Sequence, residues 1–205
     1  QYSESTDINR YDKLAEERAG SLRFSEWYYG PQKRLFISPQ LKVFFGKNWL
    51  QKGTFTAAYQ NIEESRINRK FGSITRSYQN ENVDIFSFNA DFNGSLNDKH
   101  SFSFGIEGTQ NKIASNGFSK DLILDAYKII GLKASTPIPS RYPNDGSKLS
   151  SFAGYLNWVY LLNKKLTLNT GLRVTKSSLV ANWNDTAQID RLLSLVDLKF
   201  DAITY

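Results

Sequence analysis

The sequence contains neither cysteine nor methionine among its 205 residues. Without cysteine there is no disulfide framework, no thiolate metal site and no cysteine nucleophile. Long hydrophobic runs are also missing, because the longest, Trp158 to Leu162, falls far short of the roughly 18 apolar residues of a transmembrane helix. These absences exclude a helical membrane protein and a disulfide-stabilised scaffold.

The chain also lacks the charge pattern of a nucleic-acid-binding protein, although basic residues are in excess and give a formal net charge of +6. Lysines and arginines are scattered along the sequence. The only dense group consists of Arg66, Arg69, Lys70 and Arg76, and neither a basic helix nor an aromatic RNA-binding motif accompanies it. We therefore expect no nucleic-acid partner.

The strongest pattern that is present is alternation of apolar and polar residues, which is typical of a strand with two different faces. From Leu35 to Phe45 every second residue is apolar. At 3.6 residues per turn these positions would spread around a whole helix, so the pattern favours a strand. Similar patterns predict six strands in three hairpins: residues 34–45 with 53–64, 83–95 with 100–111, and 151–162 with 165–176.

The lengths of the connections indicate how the hairpins are arranged. Turns of about four residues are predicted near positions 47, 97 and 163, as in β-hairpins. The other two connections, residues 65–82 and 112–150, are long and irregular. Alternating short and long connections are typical of an outer-membrane barrel with tight turns at one rim and large external loops at the other. A soluble β-sandwich, in which the apolar face is the core, is the alternative.

Two segments in the irregular tracts have helical spacing. Leu122, Ala126, Ile129 and Ile130 predict a short helix, and residues 189–196 predict another. We therefore predict an all-β chain that forms about six strands of an antiparallel up-and-down transmembrane β-barrel, with short helices in long external loops.

Six strands cannot close a lipid-facing barrel, because each unpaired edge group in hydrocarbon costs several kcal/mol. We therefore expect residues 1–205 to be one partial barrel domain of a longer protein. Two further strands, at residues 22–29 and 198–204, would instead give a small complete barrel of about eight strands. Both possibilities remain open from the sequence.

Catalytic groups are scarce. His100 is the only histidine and lies beside a predicted turn, so a Ser-His-Asp arrangement would have to be built on it. Glu63 and Glu64 point to opposite faces of a predicted strand, which prevents them from acting together as acid and base. We expect no enzymatic activity, no cofactor and no metal site.

Short segments spread over residues 10 to 185 resemble, in order and spacing, the barrel of TonB-dependent outer-membrane receptors. The branch they resemble most is named for haemoglobin, haem and transferrin uptake. These segments include Arg10–Leu14, Glu26–Gln32, Tyr59–Arg66, Arg69–Phe71, Gly105–Glu107 and Asn182–Asn184. The resemblance implies a barrel of about 22 strands, filled by a plug domain and energised through TonB. The plug domain and the remaining strands are not in this chain.

The resemblance implies a receptor in the bacterial outer membrane that imports an iron chelate, haem or a similar scarce nutrient. The Phe-Arg-Ala-Pro and Asn-Pro-Asn-Leu motifs of the haem branch are missing, which leaves the ligand open. The expected partners are outer-membrane lipid and lipopolysaccharide, the plug domain and TonB, and a small anionic ligand such as a ferric siderophore or haem. The alternative function is a soluble or surface β-sandwich that binds glycan or protein.

The candidate ligand-binding residues are aromatic and basic. Aromatic rings stack on ligand rings, and positive charge attracts an anion. The basic group falls in the predicted external loop at residues 65–82. The candidates are Trp27, Tyr28, Tyr29, Arg66, Arg69, Lys70 and Arg76.

Overall fold

The protein is all-β and antiparallel. The computed structural model describes residues 1–126 and 128–183, and none of the helices in these residues is long and apolar enough to cross a membrane. The strands and the single-turn helix are β1 (Tyr2–Glu4), β2 (Ile8–Asn9), α1 (Tyr11–Leu14), β3 (Glu17–Arg18), β4 (Ser21–Leu22), β5 (Phe24–Tyr29), β6 (Lys33–Ile37), β7 (Gln40–Lys47), β8 (Leu50–Lys70), β9 (Thr75–Asn97), β10 (His100–Asp125), β11 (Lys128–Leu132), β12 (Thr136–Pro137), β13 (Ser147–Asn163) and β14 (Leu166–Ala181).

One large sheet contains nearly all of these strands. Its main order is β1-β6-β8-β9-β10-β13-β14, while β5 and β7 pair with other parts of β8, and β11 and β12 pair with β10. In the described part of the chain β14 pairs only with β13, so the sheet is open rather than closed into a barrel. The predicted all-β, antiparallel fold class is confirmed, whereas the described residues do not close into the predicted barrel.

The six predicted strands and their three tight turns are confirmed in position. The first strand is interrupted at Ser38 and Pro39, which separate β6 from β7. Proline has no N–H to donate to the strand ladder, which explains why the strand is interrupted at Pro39. The chain still holds its place beside β8, because the Ala57 N–H donates to the Pro39 carbonyl at 3.2 Å.

The predicted long connection at residues 65–82 is wrong. β8 and β9 stay paired as far as Arg69 with Arg76, which leaves residues 71–74 as the turn. Gly72 has a φ of 74° in this turn, a left-handed conformation that suits glycine. The prediction failed because both faces of the extended strands are polar here, so the ladder continues without the alternation that marks a strand.

The helix predicted around Leu122 is also wrong. β10 continues to Asp125 and folds back through β11 as a hairpin, with Leu124 opposite Ile129 and Leu122 opposite Leu132. Leu122 lies on one arm of this hairpin, and Ile129 and Ile130 lie on the other. Apolar residues on the two arms of a short hairpin can be separated by the same numbers of residues as those on one face of a helix, so the spacing did not distinguish the two structures. The predicted strand at residues 22–29 is largely β5, whereas the predicted helix at 189–196 and strand at 198–204 lie outside the described residues.

The sheet is a single layer with almost no hydrophobic core. Among the described residues only Ile67, Ala90, Leu122 and Ala153 are buried apolar side chains. Large apolar side chains are instead exposed along the strands, with Leu172 69% and Phe152 58% accessible. No second layer in the described chain covers them.

The strand register places most of these exposed residues on one side of the sheet, although Phe44, Leu149 and Leu179 lie on the other side. Directly opposed residues share a face, and one central row is Val43, Gly53, Phe92, Phe104, Leu156 and Leu172. We call the surface built from this row and its neighbours the apolar band. On β13 the band runs from Phe152 to Tyr160, which is nine residues or about 30 Å along the strand.

The opposite side of the same strands, the polar face, carries hydrogen-bonded polar groups. The Tyr155 hydroxyl donates to the Asp91 carboxylate at 2.5 Å, and Arg173 forms an ion pair with Glu107. Gly105 lies beneath Tyr155, because a Cβ there would be 2.7 Å from the tyrosine ring and 2.6 Å from the Ala90 carbonyl oxygen. A side chain at position 105 would therefore displace this network.

We expect Gly105→Ala to destabilise the fold by about 1–3 kcal/mol, the usual cost of overpacking a well-filled site. Gly108→Ala is the matched control on the same strand, because a Cβ there would meet the Phe152 ring at an ordinary 3.7 Å. Denaturant titration followed by tryptophan fluorescence measures both variants. Equal midpoints would show that Tyr155 does not lie over Gly105.

Candidate functional site

All seven candidate ligand-binding residues lie together at one end of the sheet, beyond the apolar band. The aromatic candidates are on β5, and β5 pairs with the end of β8, where Tyr29 is opposite Arg66 and Trp27 is opposite Asn68. Arg76, at the start of β9, is opposite Arg69. The sequence therefore predicted residues that do come together, but it placed the basic ones in a loop, whereas they belong to strands.

The sheet divides the candidates between its two faces. Tyr28 and the opposed pair Arg69 and Arg76 continue the side of the apolar band. Trp27, Tyr29 and Arg66 continue the polar face, since neighbouring residues of a strand point in opposite directions. Lys70 is exposed at the end of β8. Two separate groups of side chains result.

The first group is an ion-pair cluster of Glu26, Arg69 and Arg76. Arg76 Nε donates to Glu26 Oε2 at 2.6 Å, and Arg69 Nε donates to Glu26 Oε1 at 3.0 Å. The three side chains are at most 20% exposed. Burial by itself raises the pKa of Glu26, but the hydrogen bonds and charges of Arg76 and Arg69 outweigh it and lower that pKa.

This cluster ties three strands together and neutralises part of the predicted positive charge. Arg69 also donates to the Ser73 carbonyl at 2.9 Å, which holds the β8–β9 turn. Glu26 is a residue that the sequence reasoning missed. The signal in the sequence was its position directly before Trp27, Tyr28 and Tyr29, which makes it an acidic residue close to the candidate aromatic and basic residues.

The second group is an aromatic cluster of Arg10, Trp27, Tyr29 and Arg66. The Trp27 and Tyr29 rings meet edge to face at 5.2 Å, and the Arg66 guanidinium lies 5.2 Å from the Tyr29 ring centroid. The Arg10 guanidinium is 5.2 Å from the Trp27 ring and donates to the Tyr29 hydroxyl at 2.8 Å. Asp12 accepts two further hydrogen bonds from Arg10.

Arg66 differs from the other arginines of this region. In the described part of the chain it forms no ion pair, and its Nε is buried without a hydrogen-bond partner. Arg10 is paired with Asp12, and Arg69 and Arg76 share Glu26. Arg66 is therefore the cation of the aromatic cluster that has no ion pair in the described residues, although its charge acts on the carboxylate of Glu81.

A short segment, residues 138–142, crosses the polar face beside the aromatic cluster, and we call it the strap. The Ile138 N–H donates to the Gly117 carbonyl at 3.0 Å, and Gln79 Nε2 donates to the Pro139 carbonyl at 3.3 Å. Gly117 permits this close approach, because a Cβ there would be 2.5 Å from the Pro139 oxygen. Gln79 is also opposite Arg66, so the strap forms one wall of the space above the cluster.

Arg141 of the strap lies 3.5 Å from the carboxylate of Glu81, which is only 6% exposed. Neither carboxylate oxygen of Glu81 has a hydrogen-bond partner, and Glu64 is directly opposite on β8. Burial raises the pKa of Glu81, and the charge of Glu64 adds to this effect, while Arg141 and Arg66 oppose it. The contact between strap and sheet therefore depends on a carboxylate that is costly to ionise.

His100 lies at the opposite end of the sheet, at the rim with the tight turns. Its ring stacks on Tyr160 at 4.3 Å and on Trp158 at 5.6 Å. The described residues contain no group of three or more histidine, cysteine or acidic side chains that could hold a metal ion. His100 thus belongs to an aromatic stack far from the aromatic cluster.

Replacing Glu26 or Glu81 by glutamine should change the pH dependence of the free energy of unfolding in opposite directions. Glu26→Gln should cost about 1–3 kcal/mol at neutral pH, because two partly buried guanidinium groups lose their acceptor. The pKa of Glu26 is lowered in the folded state, so its stabilisation is complete above about pH 4.3 and is lost as the pH falls through that lowered value.

The pKa of Glu81 is raised, so its protonated form favours folding at low pH, and this contribution is lost as the pH rises through the raised value. Glu81→Gln should therefore stabilise the protein at neutral pH and have little effect in acid. Unfolding titrations across the pH range measure both variants. Parallel pH profiles would contradict the environments assigned to the two carboxylates.

Comparison with known proteins adds no relative to this picture. No family model, curated protein or solved structure matches the chain.

Proposed function

We propose that this chain is a membrane-spanning part of a TonB-dependent β-barrel receptor in the bacterial outer membrane, and that the receptor imports a small anionic nutrient such as an iron chelate or haem. The observation that carries the proposal is the apolar band. A sheet whose apolar side has no covering layer in the described residues is stable if hydrocarbon covers that side.

The height of the apolar band supports a bilayer as its environment. Nine residues of a strand tilted by about 45° span roughly 20 Å, close to the 25 Å band and the 9 to 11 residues of barrel strands. The strands then continue beyond the band with mostly polar residues on both faces, Leu149 and Leu179 being apolar exceptions. Such extensions fit strands that leave the membrane and support external loops.

Aromatic residues at the two borders of the band support the same environment. The stacked His100, Trp158 and Tyr160 lie at the rim with the turns, and Tyr59 packs on Phe86 at 4.7 Å at the other border. Rings with a polar atom prefer the interface between hydrocarbon and water. The polar face, with its Asp91–Tyr155 and Glu107–Arg173 contacts, would face the lumen.

The open edges of the sheet fit a partial barrel. β14 has one neighbouring strand in the described chain, and unpaired backbone groups are costly in hydrocarbon. In this proposal the missing strands, the plug domain and the TonB contact belong to the rest of the receptor. The aromatic cluster would lie on the luminal side above the membrane, where an anionic ligand would meet Arg66 and the rings of Trp27 and Tyr29.

Arginine substitutions at two depths of the apolar band and at one position on the polar face test the membrane location. Leu172→Arg lies in the central row of the band and should reduce assembly by about 2–4 kcal/mol, whereas Leu168→Arg, near the turn rim, should cost about 0–1 kcal/mol. Asn169→Arg, on the polar face, is the matched control and should be mild. Folded protein in the outer-membrane fraction is measured for each. Wild-type protein that remains in the aqueous fraction without detergent would refute the proposal.

Growth on defined iron sources tests the ligand class. In a strain that lacks the receptor, the Arg66→Ala protein should require about tenfold more haemin or ferric citrate than wild type, because a charge-assisted contact contributes about 1.5–3 kcal/mol. Lys164→Ala, in the tight turn at the opposite rim, is the control. Receptor amounts are equalised by immunoblot. Growth unaffected by loss of the whole receptor would exclude iron import.

A further inference from the structure

The strap is attached to the polar face by isolated hydrogen bonds rather than by a strand ladder. Proline occupies positions 137, 139 and 143, within and on either side of the strap, and proline has no N–H to donate. Towards the far end of the strap, the Tyr142 N–H donates to Ser115 Oγ at 3.4 Å. The attachment is therefore local, and the side chains beneath the strap help to decide whether it stays in place.

The charged side chain beneath the strap is Glu81, whose carboxylate oxygens are both buried without a hydrogen-bond partner. Three elements surround it. Glu64 lies directly opposite on β8, and Arg66 follows on the same side of that strand. Ser115 of β10 is its other cross-strand neighbour and does not titrate, while Arg141 approaches from the strap. One like charge, two opposite charges and one hydroxyl group therefore surround the carboxylate.

Ionisation of Glu81 is unfavourable while the strap lies on the sheet. Arg141 is 3.5 Å from the carboxylate, which is longer than a charged hydrogen bond, so it compensates only part of the desolvation. Burial is the largest influence and raises the pKa of Glu81, and the charge of Glu64 raises it further. These two effects outweigh the opposite effects of Arg141 and Arg66. Water would solvate the carboxylate if the strap left the sheet, so the closed position favours the neutral acid.

We propose that the strap is a proton-sensitive cover, which lies on the sheet while Glu81 is protonated and detaches when Glu81 ionises. Gln79 lies opposite Arg66 and also donates to the Pro139 carbonyl of the strap. Detachment therefore removes the wall beside Arg66 and widens the access to the aromatic cluster. The inference depends on contacts within the described chain, so it holds whatever covers the apolar band.

Linkage gives the direction of the pH effect. With the strap detached, Glu81 is hydrated and titrates near the ordinary glutamate pKa of about 4.3, whereas its pKa is raised in the closed position. The proton therefore favours closure fully below about pH 4.3, and this contribution is lost as the pH rises through the raised value. An ion pair with Arg141 that simply held the strap would have the opposite pH dependence, because it would strengthen as Glu81 ionises.

Hydrogen–deuterium exchange of the purified full-length protein tests the cover. The measured quantity is the protection factor of a peptide that spans the strap, which is the intrinsic exchange rate at each pH divided by the observed rate. Wild-type protection should fall at least about threefold between pH 4.5 and pH 8. Glu81→Gln, whose amide imitates the neutral acid, should keep at pH 8 the protection that wild type has at pH 4.5. Arg141→Gln should match wild type at pH 4.5 and be less protected at pH 8, because the ionised Glu81 loses its partner.

Two controls separate the strap from the rest of the sheet. Glu63→Gln changes the neighbouring glutamate of β8, which is exposed on the opposite face, and should show the wild-type fall in protection. A peptide of β10 at residues 103–109 should be equally protected at both pH values. A parallel loss of protection in that peptide would show that the whole sheet opens, and would overturn the inference. Wild-type protection of the strap that does not change with pH, or a Glu81→Gln strap less protected than wild type at pH 8, would overturn it as well.

Discussion

Removal of one apolar side of a single-layer sheet from water is the constraint on which this structure depends. Neighbouring strands supply the side chains of that surface row by row, and the strand register holds them together on one side. A soluble sheet would cover such a surface with a second layer, and the hydrophobic effect would then stabilise a core. The described residues build almost no core, and we therefore propose that hydrocarbon covers the apolar band. The membrane location is proposed from that uncovered surface, and the barrel and the receptor function are proposed together with the resemblance of the sequence.

Electrostatics, rather than packing, organises the end of the sheet beyond the band. Glu26 holds two arginines on one side, while Arg66 lies against Tyr29 on the other side and has no ion pair in the described residues. The sheet thus divides between its two faces a group of basic residues that looks uniform in the sequence. The buried carboxylate of Glu81 beneath the strap adds a group that is costly to ionise and therefore sensitive to pH.

The strands could be predicted wherever one face is apolar and the other polar. In that part of the sheet a shift of one residue would turn every side chain to the wrong side, so the pattern is strong. Beyond the band both faces are mostly polar, the alternation disappears, and the sequence predicted loops where β8, β9 and β10 continue as paired strands. Backbone hydrogen bonds maintain those extensions, and every residue except proline offers both groups they need. The hairpin of Leu122 and Ile129 was misread as a helix for a related reason, since its short arms contain too few residues to show a period.

The sequence by itself determined the all-β class, the positions of six strands, their tight turns and the two chemically different faces, because these follow from local alternation and from turn residues. It also pointed to the aromatic and basic residues that meet at one end. Only the tertiary structure decided which of these residues share a face, that Arg69 and Arg76 share the carboxylate of Glu26, and that the buried Glu81 meets Arg141 of the strap. Those relations join positions far apart in the chain, and they arise only when the register of the paired strands is set.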